Sequence, residues 1–181
     1  MSRIAVPARE NAPAASRPLL DAVEKQLGVV PNLFRVVALS PAALQGFLGL
    51  NGALGKALDV KTRERMAIAV AQVNGCDYCL SAHTYLGLNL AKIDNAEIAL
   101  NRRGGSADPK ANAAVAFARK ITENHGRTAE ADLEAVRAAG YTDAQIIEII
   151  AVVAENIFTN LVNIVADTEI DFPVIRASEA A

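Results

Sequence analysis

The sequence predicts an all-α protein on three observations. No stretch alternates apolar and polar residues with the period of two that marks a half-buried strand. Serine, threonine, aspartate and proline residues recur just ahead of apolar runs with helical spacing, which is where helix N-termini place them. The segment from Asp143 to Thr168 is apolar on nearly every face, as expected of a helix that is buried on most sides.

The 181 residues are expected to form a single domain with an arm. Residues 1–16 contain Pro7 and Pro13 and few large apolar side chains, which predicts an extended N-terminal arm that is loose or wraps a neighbouring subunit. Residues 17–181 form the predicted helical domain. Its helices are expected over about residues 17–27, 32–39, 42–58, 61–73, 76–90, 95–103, 109–124, 129–139 and 143–168.

Each of these helices has a local signal at one end. The first three open on Pro18, Pro31 and Pro41, because a helix tolerates proline in its first turn. An Asn-Gly pair separates the fourth helix from the fifth, and aspartates precede the sixth and the seventh. Thr128 is the predicted N-cap of the eighth helix, and Thr142 opens a capping box for the ninth.

The third helix carries glycine at every third position, namely Gly46, Gly49, Gly52 and Gly55. Each glycine costs about 1 kcal/mol of helix propensity relative to alanine, so the pattern needs a compensating role. We expect close packing against a neighbouring helix. The alternative is room for a substrate beside the cysteines.

Composition restricts the classes of function. Apolar residues make up 52% of the chain and charged residues 21%, with a net charge of −2. This balance argues against nucleic-acid binding, which requires a basic surface. The sequence contains no run of about 18 uninterrupted apolar residues, and its N-terminus lacks the apolar segment of a signal peptide. We therefore expect a cytoplasmic protein without a membrane or nucleic-acid partner.

The chemically distinctive segment holds both cysteines and one of the two histidines. Cys76, Cys79 and His83 share one helix face, because positions i, i+3 and i+7 are neighbours on a helix surface. Asn74-Gly75 predicts a break, which places Cys76 at the N-terminus of a new helix. The positive partial charge of that end lowers a thiol pKa, as does a Cys-x-x-Cys arrangement. His83 follows Cys79 by one turn and is placed to take its proton.

Glu64 belongs to the preceding helix, whose residues 66–71 are apolar throughout. A carboxylate on a buried helix needs a partner, and His83 is the candidate. A Glu–His–Cys chain would orient the imidazole and allow the thiol to deprotonate, as in covalent catalysis. The predicted catalytic residues are therefore Glu64, Cys76, Cys79 and His83.

Other interpretations of these residues stay open. The same four side chains are legitimate zinc ligands, although two thiols one helical turn apart favour redox chemistry. Tyr78, between the cysteines, is either a packing aromatic or a supporting residue whose hydroxyl bonds Cys76 or a substrate. His125 lies between an asparagine and a glycine, which is typical of a solvated loop residue.

The pattern E-x11-C-x2-C-x3-H resembles the active-site signature of the alkyl hydroperoxidase D-like branch of the carboxymuconolactone decarboxylase family. The resemblance covers roughly residues 18–173. It includes the late helix with Asn156, Asn160 and Asn163, and the Ile-Asp-Phe-Pro segment that ends at residue 173. The sequence departs from the best-understood hydroperoxidases at one position, because their second histidine between the cysteines is Tyr78 here.

The resemblance implies a compact helical bundle that acts as a thiol-dependent, antioxidant peroxidase. By the resemblance Cys79 attacks a small hydroperoxide, Cys76 resolves the product to a disulfide, and Glu64 with His83 relays the proton. A dithiol reductant, such as a lipoyl-bearing or thioredoxin-like protein, would then restore the thiols. No nucleotide-binding glycine motif is present, so no cofactor is expected. The alternatives are a non-catalytic redox sensor and a lactone decarboxylase of the type that names the family.

The last helix also predicts self-association. Its apolar surface exceeds what one small domain easily buries, and exposed apolar patches are uncommon on monomers. We expect a homo-oligomer, for which a two-fold dimer is the simplest form. The family resemblance adds a trimer and a hexamer as candidates. Asn156, Asn160 and Asn163 lie along one stripe of this helix. We expect their amides to bond across a subunit interface or to neighbouring helix ends; the alternative is a direct part in catalysis.

Overall fold

A computed structural model describes residues 2–179, so residue 1 of the predicted arm and residues 180–181 of the predicted domain lie outside it. All regular structure within residues 2–179 is helical, which confirms the all-α prediction. Two short 3-10 turns, Arg9–Asn11 and Ala14–Ser16, lie in the arm. The α-helices are α1 (Arg17–Leu27), α2 (Asn32–Val37), α3 (Pro41–Leu54), α4 (Val60–Asn74), α5 (Asp77–Asn89), α6 (Asn95–Arg102), α7 (Pro109–Glu123), α8 (Glu130–Ala138) and α9 (Asp143–Ala166).

Helix α4 lies at the centre of the fold. It packs against α5, α6, α7 and α9, and every residue from Met66 to Ala71 is buried. An uninterrupted apolar run leaves no polar face for solvent, so the rest of the chain surrounds it. One apolar cluster fills the space between α4, α7, α8 and α9, and a second joins α4 to α5 and α6 and contains both cysteines.

Most helix ends lie within two residues of the sequence prediction, with small shifts such as that at the start of α8 and a larger one at the end of α3. The N-cap of α8 is Ala129 rather than Thr128, because the Asp132 carboxylate accepts the Ala129 N–H at 2.8 Å and starts the helix one residue later. Helix α3 ends at Leu54, and the next four residues form turns instead of continuing to residue 58. The capping box at Thr142 is confirmed, with both reciprocal hydrogen bonds to Gln145.

The glycines of α3 do not pack against a neighbouring helix of the same chain. A Cβ atom placed on Gly46, Gly49 or Gly52 would meet nothing within 4 Å. Close packing within the chain, as predicted from their spacing, is therefore wrong for these three positions. They form an open face of α3 that is free of side chains.

The described part of the arm lies on its own chain. The Arg35 side chain donates to the Pro7 carbonyl at 2.8 Å, and the Arg3 amide donates to the Ala166 carbonyl at 2.6 Å. Ala12 is only 1% exposed within the apolar cluster of α1 to α3. Residues 2–16 are thus tied to α2 and to the end of α9.

Helix α9 has a buried polar side and an exposed apolar side. By length and composition alone it could cross a membrane, but half of its most apolar 18-residue window is buried inside the protein. Its buried residues include Glu155 and three asparagines. The large apolar residues that stay exposed, here called the α9 stripe, are Ile147, Ile150, Phe158, Leu161, Ile164 and Val165.

We predict that the protein self-associates through the α9 stripe. Ile147 and Leu161 are 65% and 57% exposed, and covering such a surface releases about 25 cal/mol for each Å² of apolar area. Light scattering should therefore report a multiple of the 19.0 kDa chain mass. The double variant Ile147→Lys/Leu161→Lys should shift the mass towards 19.0 kDa without loss of helicity.

The matched control is Leu90→Lys, since Leu90 is 63% exposed at the end of α5 and lies outside the stripe. It should leave the mass unchanged. A wild-type protein that is monomeric at micromolar concentration would remove the prediction.

Candidate active site

The site begins with the turn that joins α4 to α5. Gly75 has a φ of +66°, a left-handed conformation that glycine adopts without steric cost. Its amide and that of Cys76 donate back to the last carbonyls of α4, with the Cys76 bond to Ala71 at 3.0 Å. The chain can therefore end one helix and begin the next within two residues, as the Asn-Gly pair predicted.

Both cysteines lie in the first turn of α5. Cys76 is the N-cap, and its Sγ accepts the Cys79 backbone N–H at 3.2 Å. The two sulfurs are joined as a disulfide, with Cα atoms 5.3 Å apart. The cysteines are 1% and 2% exposed. A helix N-terminus stabilises negative charge, so it favours the thiolate form of either residue after reduction.

His83 and Glu64 form the ion pair that the spacing predicted. The Nδ1 of His83 lies 2.8 Å from Oε2 of Glu64, and the two side chains are 23% and 14% exposed. Burial lowers the pKa of His83, but the charge and hydrogen bond of Glu64 outweigh it, with smaller contributions from Glu155 and Asn156. The pKa of His83 therefore lies above its ordinary value, which favours the imidazolium.

The three asparagines of α9 face the site and not a subunit interface. Asn163 donates from Nδ2 to the Sγ of Cys79 at 3.3 Å, and Asn160 accepts from Asn74, the last residue of α4, at 2.8 Å. All three are at most 6% exposed within one chain. The interface alternative is therefore wrong for these amides, while bonding to a neighbouring helix end is correct for Asn160. An apolar helix with a polar stripe is compatible with a subunit interface and with contacts inside one chain, so the sequence alone does not distinguish them.

Sequence reasoning missed Glu155, the second carboxylate of the site. It is 8% exposed on α9, next to Asn156. Burial raises the pKa of Glu155. A hydrogen bond with Asn51 and the positive charges of His83 and Arg63 lower it, but burial has the larger effect. The available signal was a carboxylate within the most apolar stretch of the helix, since such a group needs a partner.

The hydroxyl and the ring of Tyr78 contact Leu33 and Phe172, as a packing residue would. Its hydroxyl accepts the Leu33 backbone N–H at 3.0 Å, and its ring packs edge-to-face on Phe172. Burial raises the pKa of Tyr78, with Asp171 adding to the effect. These contacts favour the packing interpretation of this residue.

The segment after α9 covers the outer side of α5. Its residues Ile170, Phe172, Ile175 and Ala177 pack on the apolar cluster that contains the cysteines. The Asp77 carboxylate accepts the Ala177 N–H at 2.8 Å and pairs with Arg176. This segment thereby fixes the first turn of α5, while the Cys79 sulfur contacts Asn163 of α9.

The other predicted candidates lie elsewhere or lack ligand geometry. His125 lines a cleft of about 510 Å³ with Arg102, Arg119 and the end of α4, but Glu64, Cys76, Cys79 and His83 are not among its lining residues. Both arginines already bond to protein groups there. Within residues 2–179, no group of three or more His, Cys, Asp or Glu side chains is arranged to hold a metal ion.

Residues 41–120 match the model of the carboxymuconolactone decarboxylase family. The whole fold is also similar to an alkyl hydroperoxidase D core from Ralstonia eutropha JMP134, an uncharacterised peroxidase-related protein. The identity is 26%, the TM-score is 0.82, and the likeness covers 94% of this chain and 92% of the other. The family model and the shared fold together support the alkyl hydroperoxidase D-like branch of the carboxymuconolactone decarboxylase family as the family of this chain.

Two further proteins are similar to this chain, one in its fold and one over a short segment of sequence. The debrominase Bmp8, crystallised as a C82A variant with 2,3,4-tribromopyrrole, shares the fold at a TM-score of 0.78 and 21% identity over 93% of this chain and 91% of its own. An uncharacterised protein of Haemophilus influenzae is 49% identical over 45 residues. That match spans 24% of this chain and 40% of the curated relative.

Replacing Glu64 by glutamine should lower the pKa of His83, because the variant loses the carboxylate charge at Nδ1. NMR titration of the imidazole protons measures this directly. The chain has only two histidines, so His125→Gln assigns the His83 signal. An unchanged His83 titration would show that the pair does not act as the geometry indicates.

The same pair should make stability depend on pH. Because the folded pKa of His83 is raised, its contribution is complete below the unfolded value of about 6.5 and is lost as pH rises through the folded pKa. The stability advantage of wild type over Glu64→Gln should therefore shrink between about pH 6 and about pH 10. Denaturant unfolding of both proteins at both pH values measures this difference in the free energy of unfolding. A difference that grows as pH rises would contradict the prediction.

Tyr78→Phe should lower stability without changing thiol reactivity. It leaves the Leu33 N–H without its partner, at a cost of about 1 kcal/mol. Tyr85→Phe is the matched control, since Tyr85 also contacts the Phe172 ring but is 43% exposed. Denaturant unfolding and the alkylation rate of the reduced protein are the measurements. Slower alkylation at unchanged stability would instead assign the hydroxyl to the thiol chemistry.

Proposed function

We propose that the protein is a thiol-dependent peroxidase that reduces small hydroperoxides with electrons from a dithiol donor. The observation that carries the proposal is the Cys76–Cys79 disulfide in the first turn of α5, with His83 one turn further along the same helix and paired with Glu64 of α4. The likeness to the alkyl hydroperoxidase D-like branch supports it.

The first chemical step is oxidation of Cys79. Its thiolate attacks the terminal oxygen of the hydroperoxide, so an S–O bond forms and the O–O bond breaks. The alkoxide that leaves needs a proton. His83 supplies it in this proposal, because its raised pKa keeps the imidazolium populated and Glu64 stabilises that charge.

The second step closes the disulfide. The Cys76 sulfur attacks the sulfenic acid of Cys79, the S–S bond forms and water leaves. One hydroperoxide and two thiols thereby give one alcohol, one water and one disulfide. The Cys79 backbone N–H that contacts Cys76 stabilises negative charge on this sulfur in the absence of the family's second histidine, whose position Tyr78 occupies.

The cycle ends with thiol–disulfide exchange. A donor dithiolate attacks the disulfide, and a leaving thiolate at a helix N-terminus has a low pKa, which makes it leave faster. A lipoyl-bearing or thioredoxin-like protein in the cytoplasm is the class of donor that fits this step. Self-association through the α9 stripe is part of the same proposal.

Steady-state assay separates this function from its alternatives. The reduced protein should consume hydrogen peroxide, tert-butyl hydroperoxide or cumene hydroperoxide repeatedly when dihydrolipoamide is supplied. A redox sensor would oxidise once and stop. A lactone decarboxylase would be indifferent to the double variant Cys76→Ser/Cys79→Ser, which must abolish the peroxidase.

Cys76→Ser should trap a sulfenic acid on Cys79 under mild peroxide, because the variant lacks the resolving thiol. The attacking thiol of Cys79 keeps its hydrogen bond from Asn163 and its position on the same helix face as His83. Mass spectrometry with a sulfenic-acid probe gives the site and the yield. Cys79→Ser is the matched control and should react at least about tenfold more slowly. If Cys79→Ser traps the acid faster, the two roles are exchanged.

A further inference from the structure

Asn163 of α9 contacts Cys79 with one end of its amide and leaves the other end unused. Its Nδ2 donates to the Cys79 Sγ at 3.3 Å. Its Oδ1 is buried and has no hydrogen-bond partner among residues 2–179, and the residue is 3% exposed. A buried acceptor without a partner is destabilising, so native proteins rarely keep one without a function or a bound molecule.

Two neighbours on α9 share this property. The Nδ2 of Asn160 and the Oε1 of Glu155 are also buried and without a partner among residues 2–179. Asn160 lies one turn before Asn163 and accepts from Asn74, and Glu155 influences the charge of His83. The polar atoms without a partner therefore lie on the side of α9 that faces Cys79 and His83.

We propose that Asn163 binds the terminal O–H of the hydroperoxide through Oδ1 while Nδ2 holds the Cys79 sulfur. This deepens the proposed peroxidase function and rests on it. A hydroperoxide carries its single O–H on the oxygen that the thiolate attacks, so an acceptor beside the sulfur selects that oxygen. One planar amide then fixes both reacting atoms, which is how orientation lowers a barrier.

The chemistry of the step stays balanced with Asn163 in place. The Cys79 thiolate forms the S–O bond, the O–O bond breaks, and His83 protonates the alkoxide. The proton of the terminal oxygen remains on the sulfenic acid and keeps its bond to Oδ1. Asn163 exchanges no proton or electron, so it is a binding and positioning residue.

The N–H donated to sulfur has a separate consequence for the thiol. A hydrogen bond is stronger to a thiolate than to a thiol, so it lowers the pKa of Cys79. Other charged groups around the cysteine are the Glu64–His83 pair from α4 and α5, Glu155 from α9, and Asp77 with Arg176 at the start of α5. Asn163→Leu keeps all of them and adds no charge, so a change in thiol pKa in that variant reports the amide.

The test uses the full chain with Cys76→Ser, which leaves Cys79 as its single thiol. Methyl methanethiosulfonate reacts with the thiolate but has no O–H or N–H to donate to Oδ1. Its pH–rate profile gives the pKa of Cys79 and the intrinsic thiolate rate. Hydrogen peroxide and cumene hydroperoxide, in single-turnover oxidation, measure the same thiolate against substrates that do carry the O–H.

Asn163→Leu removes both ends of the amide. It should raise the pKa of Cys79 by about one unit and slow the thiolate's reaction with both hydroperoxides by about tenfold. The thiolate's reaction with methyl methanethiosulfonate should change by less than about twofold. Asn163→Asp keeps an acceptor but no N–H, so it should raise the thiol pKa and preserve most of the thiolate's rate with hydroperoxide.

Thr159→Val is the matched control. Thr159 is a buried polar residue of the same helix, but its hydroxyl bonds to the Asn156 carbonyl and not to the site. It should leave both rates and the thiol pKa unchanged. If Asn163→Leu does not fold by circular dichroism, Asn163→Ala makes the same measurement.

An equal loss with the thiosulfonate and with the hydroperoxides would overturn the binding role of Oδ1. An unchanged pKa of Cys79 would overturn the role of Nδ2. Both readouts are single-turnover and independent of a donor. If wild type fails to turn over any hydroperoxide with dithiols, the proposed function fails, while these rates still decide whether Asn163 recognises the O–H.

Discussion

The left-handed turn at Gly75 is the constraint on which the site depends. With φ at +66° it reverses the chain immediately, so α4 and α5 run back alongside each other. This reversal makes Cys76 an N-cap, and it brings Glu64, from the first half of α4, against His83, in the second half of α5. A side chain at this position would be strained in the left-handed region, and relief of that strain would rotate α5 against α4.

Burial and charge compete over the same imidazole. Removal from water favours neutral His83, and Glu64 at 2.8 Å favours the cation; the carboxylate prevails. Glu155 experiences the opposite result, because burial raises its pKa in spite of His83 and Arg63. The site thus combines one ion pair with one carboxyl group that resists ionisation, which limits the negative charge beside a sulfur that must become a thiolate.

The sequence was sufficient where the relevant contacts are local. Cys76 as N-cap and the helix face shared with His83 follow from a break and from the 3.6-residue period, and a short turn then brings the preceding helix and Glu64 close. The roles of Asn163 and Glu155 could not be predicted, since their partners are distant along the chain. Cys79 lies 84 residues from Asn163, and Glu155 interacts with Asn51 and His83 from other helices. A polar stripe on an apolar helix says that partners exist, but tertiary packing decides which. The glycines of α3 show the same limit: their spacing permits close approach, and no helix of the chain makes it.

Helix α9 links the thiol site to the outer surface because one rigid element carries both. Asn163 touches the Cys79 sulfur, while its neighbours Leu161, Ile164 and Val165 stay exposed on the opposite side. A slide or rotation of α9 would move the Asn163 amide relative to the Cys79 sulfur. Contacts that cover the α9 stripe therefore also restrict the position of Asn163, whereas an uncovered stripe leaves that position to the packing of α4, α5 and α7. The hydrogen-bond geometry at the Cys79 sulfur accordingly depends both on the helices that pack on the buried side of α9 and on any contact that covers the α9 stripe. Assembly and thiol reactivity are therefore expected to vary together.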